Sequence, residues 1–142
     1  IIRSLLDNSE TNFAGRYFTL TNAWCEPKPV QAKLPIVIGG KGPKRTLRTA
    51  ARWADQWDMT FPATPAAWQA LDEVLRRHCD DVGRDQSEIT RSVHLGFPED
   101  ADVAQLADHA NGFFEVGVDV VVWSMQGAMD AARLAPIADA VG

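Results

Sequence analysis

The sequence predicts an α/β fold of four successive βα units, the content of half a (β/α)8 barrel. Two observations lead there. From residue 34 onward, short apolar runs alternate with segments of helical period, the pattern of parallel strands joined by helices. The chain has 142 residues, whereas a complete eight-unit barrel needs about 250. A flavodoxin-like doubly wound sheet competes at this length, but four strands are few for it.

Three regions succeed one another. Residues 1–11 read as the end of a helix, with Ile1, Ile2, Leu5 and Leu6 on its apolar side. The sequence opens on Ile rather than Met and in mid-helix, so it is expected to be a fragment or the second half of a larger barrel. Residues 12–33 form an excursion: Phe13, Gly15, Tyr17, Thr19 and Leu20 read as hairpin-like, and Pro27 and Pro29 punctuate the stretch leading to residue 33.

Residues 34–142 hold the four units. Leu34 to Ile38 reads as a buried strand ending at Gly39-Gly40, and Pro43 is expected at the first position of the next helix, where its missing N–H costs nothing. Leu47, Ala50, Ala51 and Ala54 give that helix its apolar period. Gln56 to Phe61 is the second strand, with Asp55 and Asp58 helping to start it. Thr64 then caps a helix with Pro65 behind it, and Gly83 ends it. Its stripe is Trp68, Leu71, Leu75, Cys79 and Val82. The third strand spans Ser92 to Phe97. A helix through Val103, Leu106, Ala107, Ala110, Phe113 and Phe114 stops at Gly117. Val118 to Met125 is the fourth strand, and Leu134, Ile137, Ala138 and Val141 predict a final helix with Pro136 near its start. Most of the five tryptophans, Trp53 and Trp68 among them, are assigned to packing.

Composition narrows the function classes. With 46% apolar and 23% charged residues the chain is globular. No apolar run approaches the roughly 20 residues of a membrane span, Val118 to Trp123 being broken by Asp119. Two cysteines, Cys25 and Cys79, make neither a disulfide framework nor a zinc site, and no signal peptide opens the sequence. A soluble cytoplasmic protein is expected. A net charge of −5 argues against nucleic acid. Yet half of the 14 basic residues fall between Pro27 and Ala54, a stretch without Asp or Glu, which points to a small anionic ligand.

The strongest local motif lies inside that zone: Ile38-Gly39-Gly40-Lys41-Gly42-Pro43-Lys44-Arg45-Thr46. Glycines between a strand and a helix start let the backbone approach a ligand, and free N–H groups there attract an anion. The run is neither a Walker loop nor a dinucleotide fingerprint. In a βα barrel the site lies at the C-terminal strand ends. The polar residues expected there are Thr60, His94, Ser124 and Gln126. His94 alternates with Val93 and Leu95 and so is expected to face the barrel interior, where its imidazole is a catalytic candidate as donor or base. His78 and His109 are expected to face solvent, and the three histidines form no metal-ligand pattern. Neither a nucleophile elbow nor paired carboxylates appear, a pattern that fits an enzyme whose cofactor carries the chemistry.

An ordered set of motifs resembles the luciferase-like monooxygenase superfamily: Phe13-x-Gly15-x-Tyr17-x-x-Leu20, Pro27-x-Pro29-Val30-Gln31, Leu34-Pro35-Ile36-Val37-Ile38-Gly39-Gly40-x-Gly42, and Thr46-Leu47-Arg48-x-Ala50-Ala51-x-x-Ala54-Asp55-x-Trp57. Its nearest flavour is the deazaflavin branch that uses coenzyme F-420. The resemblance implies the C-terminal half of a TIM barrel, strands five to eight, preceded by an insertion bordering the active-site mouth. It implies hydride transfer between coenzyme F-420 and a small organic substrate, with FMN-dependent monooxygenation as the related alternative. It also implies that Gly39, Gly40 and Gly42 approach the cofactor phosphate, beside which the residues themselves add the charge of Lys41, and that Thr60 helps to form the pocket. The family's first four strands have no counterpart here, so self-association or a separate N-terminal half-barrel is expected to cover the exposed edges. A non-catalytic phosphate-binding half-barrel is the alternative of a different class.

Overall fold

The computed structural model of the chain describes residues 1–62 and 64–127, together with residues 132, 135, 136 and 139. It divides into two compact units, Ile1–Pro35 and Ile36–Gly142. In the first, helix α1 (Ile2–Asp7) precedes an antiparallel hairpin of β1 (Thr11–Ala14) and β2 (Thr19–Ala23). Phe13 pairs with Leu20 and Ala14 with Thr19, and the Gly15 N–H closes the turn on the Phe18 carbonyl at 2.9 Å. Two contacts hold helix and hairpin region together: Ser4 Oγ lies 2.9 Å from Thr11 Oγ1, and Lys28 Nζ donates to the Leu5 carbonyl at 2.8 Å.

The second unit is a four-stranded parallel sheet in the order β3 (Val37–Gly39), β4 (Gln56–Thr60), β5 (Thr90–Phe97) and β6 (Val120–Met125). Helices α2 (Thr46–Trp53), α3 (Pro65–Val82) and α4 (Val103–Glu115) make the crossovers. Strand order follows chain order, so each βα unit adds one strand to the same growing edge, as in part of a barrel.

Alternation along these strands sorts the side chains. Trp57, Met59, Val93 and Leu95 point to the helices and join Leu47, Trp68, Leu75, Cys79 and Phe113 in one buried cluster. At its centre the Trp57 and Trp68 rings stack with centroids 5.9 Å apart. A second cluster, Phe97 and Leu106 with Trp123 and Met125, extends the core toward β6.

Local chemistry explains the ends of α3. Thr64 Oγ1 accepts the Ala67 N–H at 3.1 Å, and Gly83 takes the left-handed conformation at φ 68° that stops the helix. At the N-terminal end of the sheet, Arg91 joins two elements. Its Nε lies 3.1 Å from Asp119 and its Nη1 3.5 Å from Asp72 on α3.

Several expectations are corrected. Helix α2 starts at Thr46 with Arg45 at the N-cap, so Pro43 sits in the turn before the helix rather than at its first position. Gly42 accepts the Leu47 N–H at 3.1 Å, and that wide turn uses the residues the helix was expected to occupy. The first strand is Val37–Gly39 rather than Leu34–Ile38, and it is not buried: Val37 is 54% exposed because β3 is an edge strand with an uncovered face. Trp53, 63% exposed, lies off the stripe of Leu47, Ala50 and Ala51, and Trp24 is exposed as well. His78 does not simply face solvent, since its Nε2 lies 2.8 Å from the Pro43 carbonyl. The final helix expected through Leu134, Ile137, Ala138 and Val141 lies outside the described residues.

Two substitutions probe these packing contacts. Thr64→Ala should cost about 1 kcal/mol of stability in a urea titration, the usual worth of an N-cap. Burial pushes the Asp72 carboxyl above its ordinary 3.8, against the opposing pull of Arg91. Arg91→Met removes that pull, so ionised Asp72 then destabilises the fold further. The variant should lose about 1–2 kcal/mol at pH 7, less than a fully buried pair because both side chains are partly exposed. A carboxyl whose folded pKa is raised favours folding most below its unfolded pKa, so the deficit should narrow as pH falls toward 4. Urea melts of both proteins at pH 7 and pH 4 measure it.

Candidate functional site

The face of the sheet turned away from the helices is polar. Register places Gly39 beside Asp58, Asp58 beside Ser92, and Thr60 beside His94. Further along, Gly96 pairs with Ser124. These residues occur at every second position and alternate with the core residues, so they share one face.

Asp58 is the hub of this face. Its side chain is nearly buried, with the residue 5% exposed, and each carboxylate oxygen has a donor. Ser92 Oγ donates to Oδ1 at 2.7 Å, and His94 Nδ1 lies 2.8 Å from Oδ2. Thr60 Oγ1 stands 3.4 Å from the same Oδ2. Gln56 Nε2 donates to Ser92 Oγ at 2.8 Å, completing a chain across two strands.

The glycine loop is tied to the same strand through its backbone. The Gly40 N–H donates to the Asp58 carbonyl at 2.9 Å, and the Gly40 carbonyl accepts Trp57 Nε1 at 3.0 Å. Lys41 Nζ donates to the Phe61 carbonyl at 2.9 Å, bridging the loop to the end of β4. Among the described residues, the N–H groups of Lys41, Gly42 and Lys44 make no hydrogen bond. The Gly40 N–H is already committed, so Gly40 contributes backbone shape rather than a donor.

The three loop glycines differ in what they require. Gly40 has φ 125°, and a Cβ there would lie 3.2 Å from Thr46 Cγ2. A Cβ on Gly42 would meet Thr46 Oγ1 at 2.7 Å. A Cβ on Gly39 would meet only the Asp58 carbonyl, at 3.9 Å, so nothing in the fold itself requires glycine there. Gly39 opens a cradle on the polar face at the C-terminal end of β3, where a ligand can approach the backbone.

The structure thus brings Gly39, Gly40, Lys41, Thr60 and His94 around the C-terminal ends of β3 to β5. Ser124 lies on the same face on β6, and the Gln126 N–H is bonded to the Phe97 carbonyl at 2.9 Å. Asp58, Ser92 and Gln56 are additions to the site that sequence reasoning misses. The strand-starting role expected of Asp58 belongs to Asp55, whose Oδ2 accepts the Ile36 N–H at 2.8 Å. The signal that could have found them is the alternation Gln56-x-Asp58-x-Thr60 and Ser92-x-His94. No group of three or more potential metal ligands occurs among the described residues.

Residues 1–139 match the family model described as luciferase-like monooxygenase. The chain belongs to this family. Among relatives, an uncharacterized protein of Mycobacterium tuberculosis is 29% identical over 133 residues, covering 92% of this chain and 44% of that protein. A phthiodiolone/phenolphthiodiolone dimycocerosates ketoreductase of a Mycobacterium species (strain JLS) is 37% identical over 98 residues, 66% of this chain and 25% of that protein. The chain therefore spans under half the length of these relatives.

Solved structures agree on the fold. A coenzyme F-420-dependent secondary alcohol dehydrogenase superposes with a TM-score of 0.79 at 14% identity, covering 99% of this chain and 59% of that one. The coenzyme F-420-dependent tetrahydromethanopterin reductase of Methanopyrus kandleri gives 0.74 at 13% identity, covering 98% and 58%. The luciferase-like chain is thus part of a TIM barrel.

The contrast between two glycines is testable. Gly40→Ala should lower stability by about 1–3 kcal/mol, the range for a strained backbone position. Gly39→Ala should stay within about 0.5 kcal/mol, as an unstrained surface change does. Denaturant midpoints of the two variants measure the difference.

Proposed function

We propose that this chain supplies half of the active site of a deazaflavin-dependent oxidoreductase, in which hydride passes between coenzyme F-420 and an organic substrate. The observation that carries the reading is the room at Gly39, beside free loop amides and a basic stretch, on the polar face of a luciferase-like sheet. Two coenzyme F-420-dependent structural neighbours and a relative named as a ketoreductase support it.

Gly39 would admit the cofactor phosphate close to the backbone, with the Lys41 and Gly42 N–H groups as donors. Gly40 would hold the loop in the shape that turns those donors outward. Thr60 and His94 lie one and two strands further along the same face, where an organic substrate would meet them. The cofactor supplies hydride chemistry when bound; the chain holds it, orients the substrate and keeps water away. Val37 and Val120 on this face are exposed, and in this reading a further half-barrel or a second copy covers them.

Fluorescence titration of the purified chain with coenzyme F-420, and in parallel with FMN, tests the cofactor. Saturable binding of coenzyme F-420 with weaker or no binding of FMN is expected; the reverse preference would favour a flavin monooxygenase. Gly39→Val should weaken binding at least tenfold, about 1.4 kcal/mol, by occupying the cradle. Lys44→Ala should weaken it less, because an exposed lysine is screened by salt. Unchanged affinity in both variants would remove the loop from the site.

A further inference from the structure

We infer that Asp58 is a positioning residue that fixes the tautomer of His94, so that His94 Nε2 is the proton acceptor and donor for the substrate oxygen. The inference deepens the oxidoreductase reading and rests on it for the substrate, but the tautomer follows from this chain alone.

The hydrogen-bond chain has one direction. Gln56 Nε2 can only donate, and it points at Ser92 Oγ at 2.8 Å. Ser92 is fully buried, and its own proton goes to Asp58 Oδ1 at 2.7 Å. A carboxylate only accepts, so the 2.8 Å contact between Asp58 Oδ2 and His94 Nδ1 requires the proton on Nδ1. In neutral His94 the lone pair is then on Nε2, across the ring from Asp58. Nε2 makes no hydrogen bond among the described residues, and the His94 side chain is 35% exposed on the polar face.

The geometry is that of a buried carboxylate orienting a histidine through Nδ1, which holds the ring in one tautomer. When a C–O–H group is oxidised to C=O, the carbon loses a hydride and the oxygen a proton. The hydride goes to the deazaflavin of the proposed reading, and the proton goes to Nε2. In the reverse direction the Nε2 proton returns to the oxygen as the carbon accepts hydride. Ser92 and Gln56 support the carboxylate from behind and touch no substrate.

Nitrogen NMR of the ligand-free, isotope-labelled protein reads the tautomer directly. At pH 8 the wild type should show a protonated Nδ1 and an unprotonated Nε2 for His94. Asp58→Ala should convert this to a mixture dominated by Nε2–H, whereas Ser92→Ala should keep the wild-type tautomer because Asp58 remains. With coenzyme F-420 and a secondary alcohol, Asp58→Ala and His94→Ala should each lower kcat at least tenfold while the Kd for the coenzyme stays within twofold.

An Nε2–H tautomer in the wild type overturns the inference whether or not any variant folds. So does an Asp58→Ala variant that shifts the tautomer but keeps wild-type kcat. If the wild type binds no deazaflavin, the oxidoreductase reading and the substrate part of the inference fall together, while the ligand-free spectrum still decides the role of Asp58.

Discussion

Much of the second unit depends on how Trp57 is held. Its ring stacks on Trp68 of α3, and its indole N–H reaches across to the Gly40 carbonyl. One side chain thus connects the hydrophobic core to the glycine loop. Burying two large aromatic rings fixes which face of β4 turns inward, since each such ring carries a large apolar surface. In a strand the next residue must point the other way. Asp58 is placed on the open face by the same interaction that fills the core.

From that placement the site follows by register. Parallel pairing sets Asp58 beside Ser92 and Gly39, and Thr60 beside His94. The carboxylate would be costly so deep in the sheet without partners. Ser92 and His94 supply them, and the backbone carbonyl of the same residue anchors the glycine loop. Loop, carboxylate and imidazole therefore form one connected structure rather than neighbouring features. The loop hangs on the backbone of residue 58, and the imidazole and Ser92 on its side chain.

The two ends of the sheet divide the tasks. At the N-terminal end, Arg91 ties β5 to α3 and to the segment before β6 through two carboxylates, an arrangement that serves stability. At the C-terminal end, glycines and unpaired loop amides leave space. Barrels concentrate chemistry at this end because the βα loops can vary there without disturbing the core. Here that freedom includes a left-handed Phe61, whose carbonyl is held by Lys41.

The sequence by itself determined the four parallel strands and the helices between them, the capped helix from Thr64 to Gly83, the hairpin and the family, because periodicity, caps and glycines are local signals. It also placed Gly39, Gly40, Lys41, Thr60 and His94 near strand ends. Local signals failed where neighbours from elsewhere in the chain decide. Pro43 fell outside α2 because a wide turn closes on Gly42, and Trp53 is exposed because the apolar stripe of α2 turns past it. Asp58 looked like a strand-starting residue beside Asp55, since nothing local separates the two. Only tertiary pairing, which aligns residues more than thirty positions apart, joined Asp58 to Ser92 and His94. Strand register is set by the packing of whole faces, so no single segment of the sequence carries it.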